Sequence, residues 1–231
     1  MNNSTILVCD DDREIVNAIG IYLIQEGYTV VKAYDGLQAL EAIKANEIQL
    51  IIIDVMMPKM DGLTALIKLR ETHKLPVIVL SAKSEDTDKI IGLNFGADDY
   101  VTKPFNPLEL MARVRSNMRR YTDFGAAKSS PTSLRTGGLV LDTSSRCVRV
   151  DGVDVALTPT EFKIVNLLLS NLSVVMSSET IYEKVWEDMS FSVENTVAVH
   201  IRRIREKIEI NPKEPKYIKV VWGVGYKMDK I

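Results

Sequence analysis

The chain has 231 residues, 46% hydrophobic and 26% charged, with a formal net charge of −2. Those values exclude a disordered or collagen-like chain and leave room for one large domain or two ordinary ones. No apolar run approaches the roughly 18 residues of a membrane span, and the start "MNNSTILVCDDD" reaches acid without a basic n-region, so neither a span nor a signal peptide is expected.

The first half alternates between two periods. Short β-rich runs, "TILVCD", "TVVKAY", "LIIID", "PVIVLSA" and "DDYVTKP", are separated by helical patterns at about 12–26, 36–46, 61–72, 84–96 and 106–121. Five alternations of strand and helix predict an α/β fold, a (βα)5 doubly wound parallel sheet covered on both faces. Such sheets bind ligands beyond the carboxyl ends of their strands. Asp10, Asp11, Asp54, Ser81 and Lys103 all follow strand runs and are expected to converge there. A small-residue segment, "TDFGAAKSSPTSLRTGG", reads as a tether. Short strands with turns at 142–145 and 151–152 follow, then helices at about 160–171, 178–187 and 193–208, with Thr158 or Thr160 as N-cap of the first. The tail "YIKVVWGVGYKM" reads as two strands turning at Gly223 and Gly225. The expected division is 1–121, a linker at 122–133, and a second, α+β domain at 134–231.

Charge divides with it. Residues 1–123 hold 14 Lys and Arg against 18 Asp and Glu, whereas 124–231 hold 15 against 13. The halves differ in sign, so the overall balance says little about partners. The two cysteines, Cys9 and Cys147, lie far apart without metal-ligand spacing and fit a reducing cytoplasm.

The puzzle of the first half is Asp54, a carboxylate directly behind the apolar run Leu50–Ile53. Burying a charge is costly unless it is paired. Three neighbouring carboxylates, Asp10, Asp11 and Asp54, repel unless a cation lies among them. An all-oxygen set with open positions suits Mg²⁺ together with a phosphate. Lys103 can pair with a phosphoryl oxygen and the Ser81 hydroxyl can reach another. Strand-end aspartates often cap the next helix instead, and for any one of these residues alone capping is the commoner role.

The quoted motifs "ILVCDDD", "IIIDVMMPKMDG", "VIVLSAK" and "GADDYVTKPF" resemble the receiver domain of two-component response regulators, over about residues 4–121. The resemblance implies that Asp54 accepts a phosphoryl group from a sensor histidine kinase. It implies that Asp11 binds Mg²⁺ directly, with Asp10 acting through water and Met56 through its carbonyl. Lys103, Ser81 and Ala82 would meet the phosphate, with Ser81 and Tyr100 as the switch pair; Ser81 stands where threonine is common. An aspartyl phosphatase is the enzyme alternative. It carries a second aspartate two residues after the nucleophile, and that position is Met56, so substrate turnover is not expected.

In the second half, "ENTVAVHIRRIREKIE" sorts by helical angle. Val197, Ile201, Ile204 and Ile208 make a core face; Asn195, Val199, Arg202, Arg203 and Glu206 fall opposite, flanked by Thr196, His200 and Lys207. A solvated basic face is the alternative to a DNA-reading one. Three helices followed by a glycine-containing hairpin predict a winged helix, whose third helix enters the major groove.

"TPTEF", "TVAVHIRRIREKI" and "YIKVVWGVGYKM" resemble the OmpR/PhoB-type effector domain, and the tail is similar to vancomycin-resistance regulators. The resemblance implies double-stranded promoter DNA with paired half-sites as partner. Arg203 would read bases, Ala198 and Val199 would face base methyls, and Thr196, His200, Arg202, Arg205 and Trp186 would contact the backbone. The loop at 188–192 would meet RNA polymerase. Where many members carry a wing arginine this chain has Trp222, which leaves Lys219 and Lys227 for phosphate. The resemblance also implies a phosphorylation-dependent homodimer, pairing Lys89 with Glu109, Asp99 with Arg113 and Asp98 with Arg120 across the interface. A constitutive, phosphorylation-independent DNA-binding regulator is the remaining alternative.

Overall fold

A computed structural model describes residues 4–82, 96–122, 133–186 and 193–231, excepting the side chains of 120–122 and 193–195. The chain separates into two compact units, Met1–Tyr121 and Thr122–Ile231. The predicted helix at 84–96 and most of the expected linker lie outside the described residues.

In the first unit, strands β1 (Thr5–Cys9), β2 (Thr29–Ala33), β3 (Leu50–Asp54), β4 (Val77–Ala82) and β5 (Asp99–Lys103) form one sheet in the order β2-β1-β3-β4-β5. All its pairings are parallel. Its helices among the described residues are α1 (Arg13–Gln25), α2 (Gly36–Ala45), α3 (Gly62–Thr72) and α4 (Pro107–Thr122). The sequence dictates why β3 is central. Successive side chains alternate faces, so Leu50 and Ile52 pack with Val16, Leu110 and Val114 on one side. Ile51 and Ile53 meet Ala39, Leu66 and Leu69 on the other. Each such burial contributes roughly 1.5–3 kcal/mol.

Aspartates open three of the helices. Asp12 accepts from the Glu14 and Ile15 N–H groups, Asp35 from Gln38 and Asp61 from Thr64. Capping is therefore carried by Asp12, Asp35 and Asp61, which leaves Asp11 and Asp54 outside any cap. Gly62 is required by contact: a Cβ there would lie 1.9 Å from the carbonyl oxygen of Asp54.

The second unit begins with the antiparallel sheet β6 (Ser133–Thr136), β7 (Leu139–Asp142), β8 (Cys147–Val150) and β9 (Val153–Val155). Three helices follow, α5 (Pro159–Ser170), α6 (Ser178–Trp186) and α7 (Val193–Ile208), then the hairpin β10 (Ile218–Val221) and β11 (Gly225–Met228). Thr158 and Glu161 form a reciprocal capping box with Pro159 at the first turn of α5. Ile164, Leu168, Ile181, Val185, Val197, Ile201 and Ile204 build the core between the helices. Met176 exchanges backbone hydrogen bonds with Tyr226, tying the hairpin to the entry of α6. Gly225 makes that approach possible, because a Cβ there would meet the Met176 carbonyl oxygen at 2.0 Å. No helix among the described residues is long and apolar enough to cross a membrane.

Candidate functional site

Strand order reverses beside β1, where β1 is flanked by β2 and β3, and crevices of parallel sheets open at such points. Cys9 pairs with Ile53 in register, so Asp10 and Asp54 emerge side by side. Asp10 is wholly buried, Asp54 nearly so and Asp11 exposed; one oxygen from each lies within 4.8 Å of the others. Across the sheet Ala82 pairs with Lys103. The Lys103 ammonium reaches back to Asp10 Oδ2 at 2.6 Å and Asp54 Oδ1 at 3.0 Å. The Lys103–Pro104 peptide is cis. Ser81 is buried, and its Oγ donates to the Ala82 carbonyl at 3.2 Å.

The electrostatics are short of positive charge. Burial pushes the Asp54 carboxyl above its ordinary pKa, hydrogen bonding and charge from Lys103 counter this, and Asp10 and Asp11 push it up again. Burial acts to lower Lys103, but its hydrogen bonds to Asp10 and Asp54 outweigh it, and its pKa is raised. The Lys103 ammonium thus serves two carboxylates of a cluster of three. An all-oxygen donor set with an exposed member fits a divalent cation that retains water. The same field acts on Cys9: burial first, then the Asp35, Asp10 and Asp54 charges, raise its thiol to about 12, so it stays protonated at neutral pH. Met56 is 72% exposed at the mouth, with its carbonyl two residues from Asp54. Tyr100 is half-buried on β5.

The structure redistributes the expected dimer pairs. Asp98 is wholly buried and bound within the chain by Arg70 Nη2 at 2.8 Å; Arg70 also donates to the Gly96 and Leu75 carbonyls. Asp99 is buried against Arg113 at 2.8 Å, and Arg113 also meets Glu109 at 3.1 Å. Both aspartates were expected on a charged surface. They sit at the entrance of β5, where unpaired carboxylates would be costly, and local arginines satisfy them. Lys89 and the Arg120 side chain lie outside the described residues.

In the second unit the wheel also needs correction. Thr196, Val199, His200 and Arg203 are all buried, beyond the expected core face. A helix lodged against two others buries a wider arc than one apolar stripe. Trp186 stacks on Tyr182, with centroids 4.8 Å apart, and faces His200 at 5.3 Å. Arg203 Nη2 lies 3.1 Å from Glu161 Oε1, and Lys207 Nζ 2.6 Å from Glu161 Oε2. Arg205 donates from Nε and Nη2 to the Ile218 carbonyl, anchoring the hairpin. Ala198 and Arg202 are exposed one turn apart, Arg202 bound to Glu206 at 3.0 Å. Lys219 and Lys227 lie opposite each other on the wing, both beside Asp229. Trp222, 91% exposed, stands at its tip. The loop at 188–192 lies outside the described residues.

Sequence reading missed Arg70, Glu161 and Glu209. Glu209 accepts the backbone N–H groups of Lys216, Tyr217 and Ile218. Only Glu161 left a local signal, the T-x-x-E spacing after Thr158.

Comparison with known proteins decides the family. Residues 6–115 match the model of the response regulator receiver domain, and 152–228 that of the C-terminal part of transcriptional regulatory proteins. The regulatory protein VanRc of Enterococcus gallinarum is 46% identical over 227 residues, 97% of this chain and 98% of that protein. The chain belongs to the OmpR/PhoB-type response regulators. VanR of Enterococcus faecium is 45% identical over the same shares. The solved structure of a RitR mutant has a TM-score of 0.77 at 27% identity, covering 99% of this chain and 100% of that one. As an OmpR/PhoB-type regulator the chain is a transcriptional regulator with a receiver and a DNA-binding domain.

Proposed function

We propose that this response regulator is switched by phosphorylation of Asp54 and then binds promoter DNA as a homodimer in the cytoplasm. The observation that carries the reading is the position of Asp54 at the mouth of a buried strand, between two carboxylates and one lysine. A sensor histidine kinase is the donor. An Asp54 oxygen attacks the phosphohistidine phosphorus, the P–N bond breaks, and the imidazole nitrogen keeps the electron pair. Asp10, Asp11, Asp54 and the Met56 carbonyl would hold Mg²⁺, which would neutralise charge on the phosphoryl oxygens. Lys103 exchanges part of its hold on Asp54 for a phosphoryl oxygen, and Ser81 turns its hydroxyl from the Ala82 carbonyl toward another. The Ala82 side chain is small enough to leave that approach open. Movement of Ser81 leaves room behind it for the Tyr100 ring, which couples the site to the dimer face.

With Asp98 and Asp99 held internally, Glu109 is the remaining described acid of the expected face, half-exposed beside Arg113. On DNA, the exposed Ala198 and Arg202 make the first contacts and Arg203 reads bases. Thr196, Val199, His200 and Trp186 support the helix from beneath, and Arg205 secures the wing bearing Lys219 and Lys227. RNA polymerase meets the effector domain.

The test is labelling by a small phosphodonor with Mg²⁺. Wild type should incorporate phosphate and Asp54→Asn should not; continued labelling of the variant sinks the assignment. A constitutive regulator would footprint identically with and without the phosphodonor.

A further inference from the structure

Glu161 is wholly buried, yet it is an anion at the foot of α5. Its capping duty does not require that charge. The bond to the Thr158 N–H at 2.8 Å can be made by glutamine as well. What does require charge lies on α7: Lys207 Nζ on Oε2, and the Arg203 guanidinium beside Oε1 in an ion pair without hydrogen-bond geometry. Stability alone does not account for the arrangement, since buried ion pairs often contribute no more than apolar side chains of equal volume. Among the described residues the cluster is one acid against two cations, both on the helix that carries Arg202 and Ala198 outward.

We infer that Glu161 is a positioning residue that holds Arg203 and Lys207 and limits the positive charge α7 offers to DNA, so that non-target sequence is bound weakly. A phosphate backbone alone does not displace both cations from a buried carboxylate. A matching base edge compensates Arg203 for leaving Glu161, because a bidentate arginine–guanine contact discriminates against the wrong base. Glu161 therefore acts through Arg203 without touching DNA. The inference rests on the DNA-binding reading above and adds to it how specificity is set.

The test uses the full-length chain and two duplexes: one selected by the wild-type protein from a random library, and its scrambled counterpart. Glu161→Gln keeps the capping box and removes the charge. It should bind the scrambled duplex about tenfold more tightly, with a salt slope steeper by about 0.9 for each phosphate newly contacted, and should lose discrimination. In an Arg203→Ala background the same change should no longer affect discrimination, whereas a merely structural Glu161 would act equally in both. Lys207→Gln gives Glu161 to Arg203 alone and should weaken scrambled binding more than target binding. Unchanged discrimination in Glu161→Gln overturns the inference. Should that variant not fold, an equal loss on both duplexes in Lys207→Gln overturns it. A wild-type chain that selects no duplex overturns the DNA-binding reading instead.

Discussion

The two units place buried charge in opposite imbalance. At the edge of the parallel sheet three carboxylates cluster, and the Lys103 ammonium pairs with two of them, Asp10 and Asp54. Beneath α7 one carboxylate, Glu161, serves two cations. The first cluster is completed by positive charge and the second by negative charge. Under the function proposed above, the first cluster takes a divalent cation and a phosphoryl group, and the second meets DNA. An exposed pair such as Arg149 and Asp154, 2.7 Å apart, identifies nothing by comparison.

The comparison can be broken at several points. The largest effect expected is complete loss of phosphate incorporation in Asp54→Asn, measured with a small phosphodonor. Next, Arg70→Ala removes the ion pair of the buried Asp98 and should cost about 3–5 kcal/mol in denaturant unfolding; a loss under 1 kcal/mol would show that this pair adds little to stability. Lys103→Met should destabilise less, because Asp11 and the mouth of the site admit solvent. Its deficit should shrink when Mg²⁺ is added, and an increase would contradict the acidic excess.

A subtler effect concerns pH. The folded-state pKa of Asp54 is raised, so its contribution to stability is full below the unfolded pKa and lost as pH rises through the folded one. Without metal, Asp54→Asn should match wild type in acid and melt a few degrees higher near neutrality, and Mg²⁺ should close the gap. A neutral-pH melting point below wild type would reverse the assigned sign. Smallest, Thr158→Ala should cost about 1 kcal/mol as a lost cap while leaving DNA discrimination intact. That outcome separates the capping role of the Thr158–Glu161 pair from its charge.

Much of the receiver site was legible because parallel strands bring their carboxyl ends to one edge. Asp10, Asp54, Ser81 and Lys103 needed only the alternation of strand and helix to be placed together. The face of α7 was less legible. A single-helix wheel finds the core stripe Val197, Ile201, Ile204 and Ile208, and all four are buried. It does not show how many neighbours the helix has, so it turned Val199 and Arg203 outward. The burial of Asp98 was hidden for a related reason. Arg70 lies 28 residues away and nothing in its local sequence marks it as a partner.

The sequence by itself determined the alternating architecture, the strand-end acids, the capping box and the turn glycines. Each is written in spacings of a few residues, the range over which backbone geometry and side-chain period act. Only the tertiary structure decided which charges are spent internally and which remain for partners. Asp98 with Arg70, Asp99 with Arg113, and Glu161 with Arg203 and Lys207 are brought together by packing. Burial then fixes their value, because a charge removed from water must find its counterion inside the fold or bind one from outside.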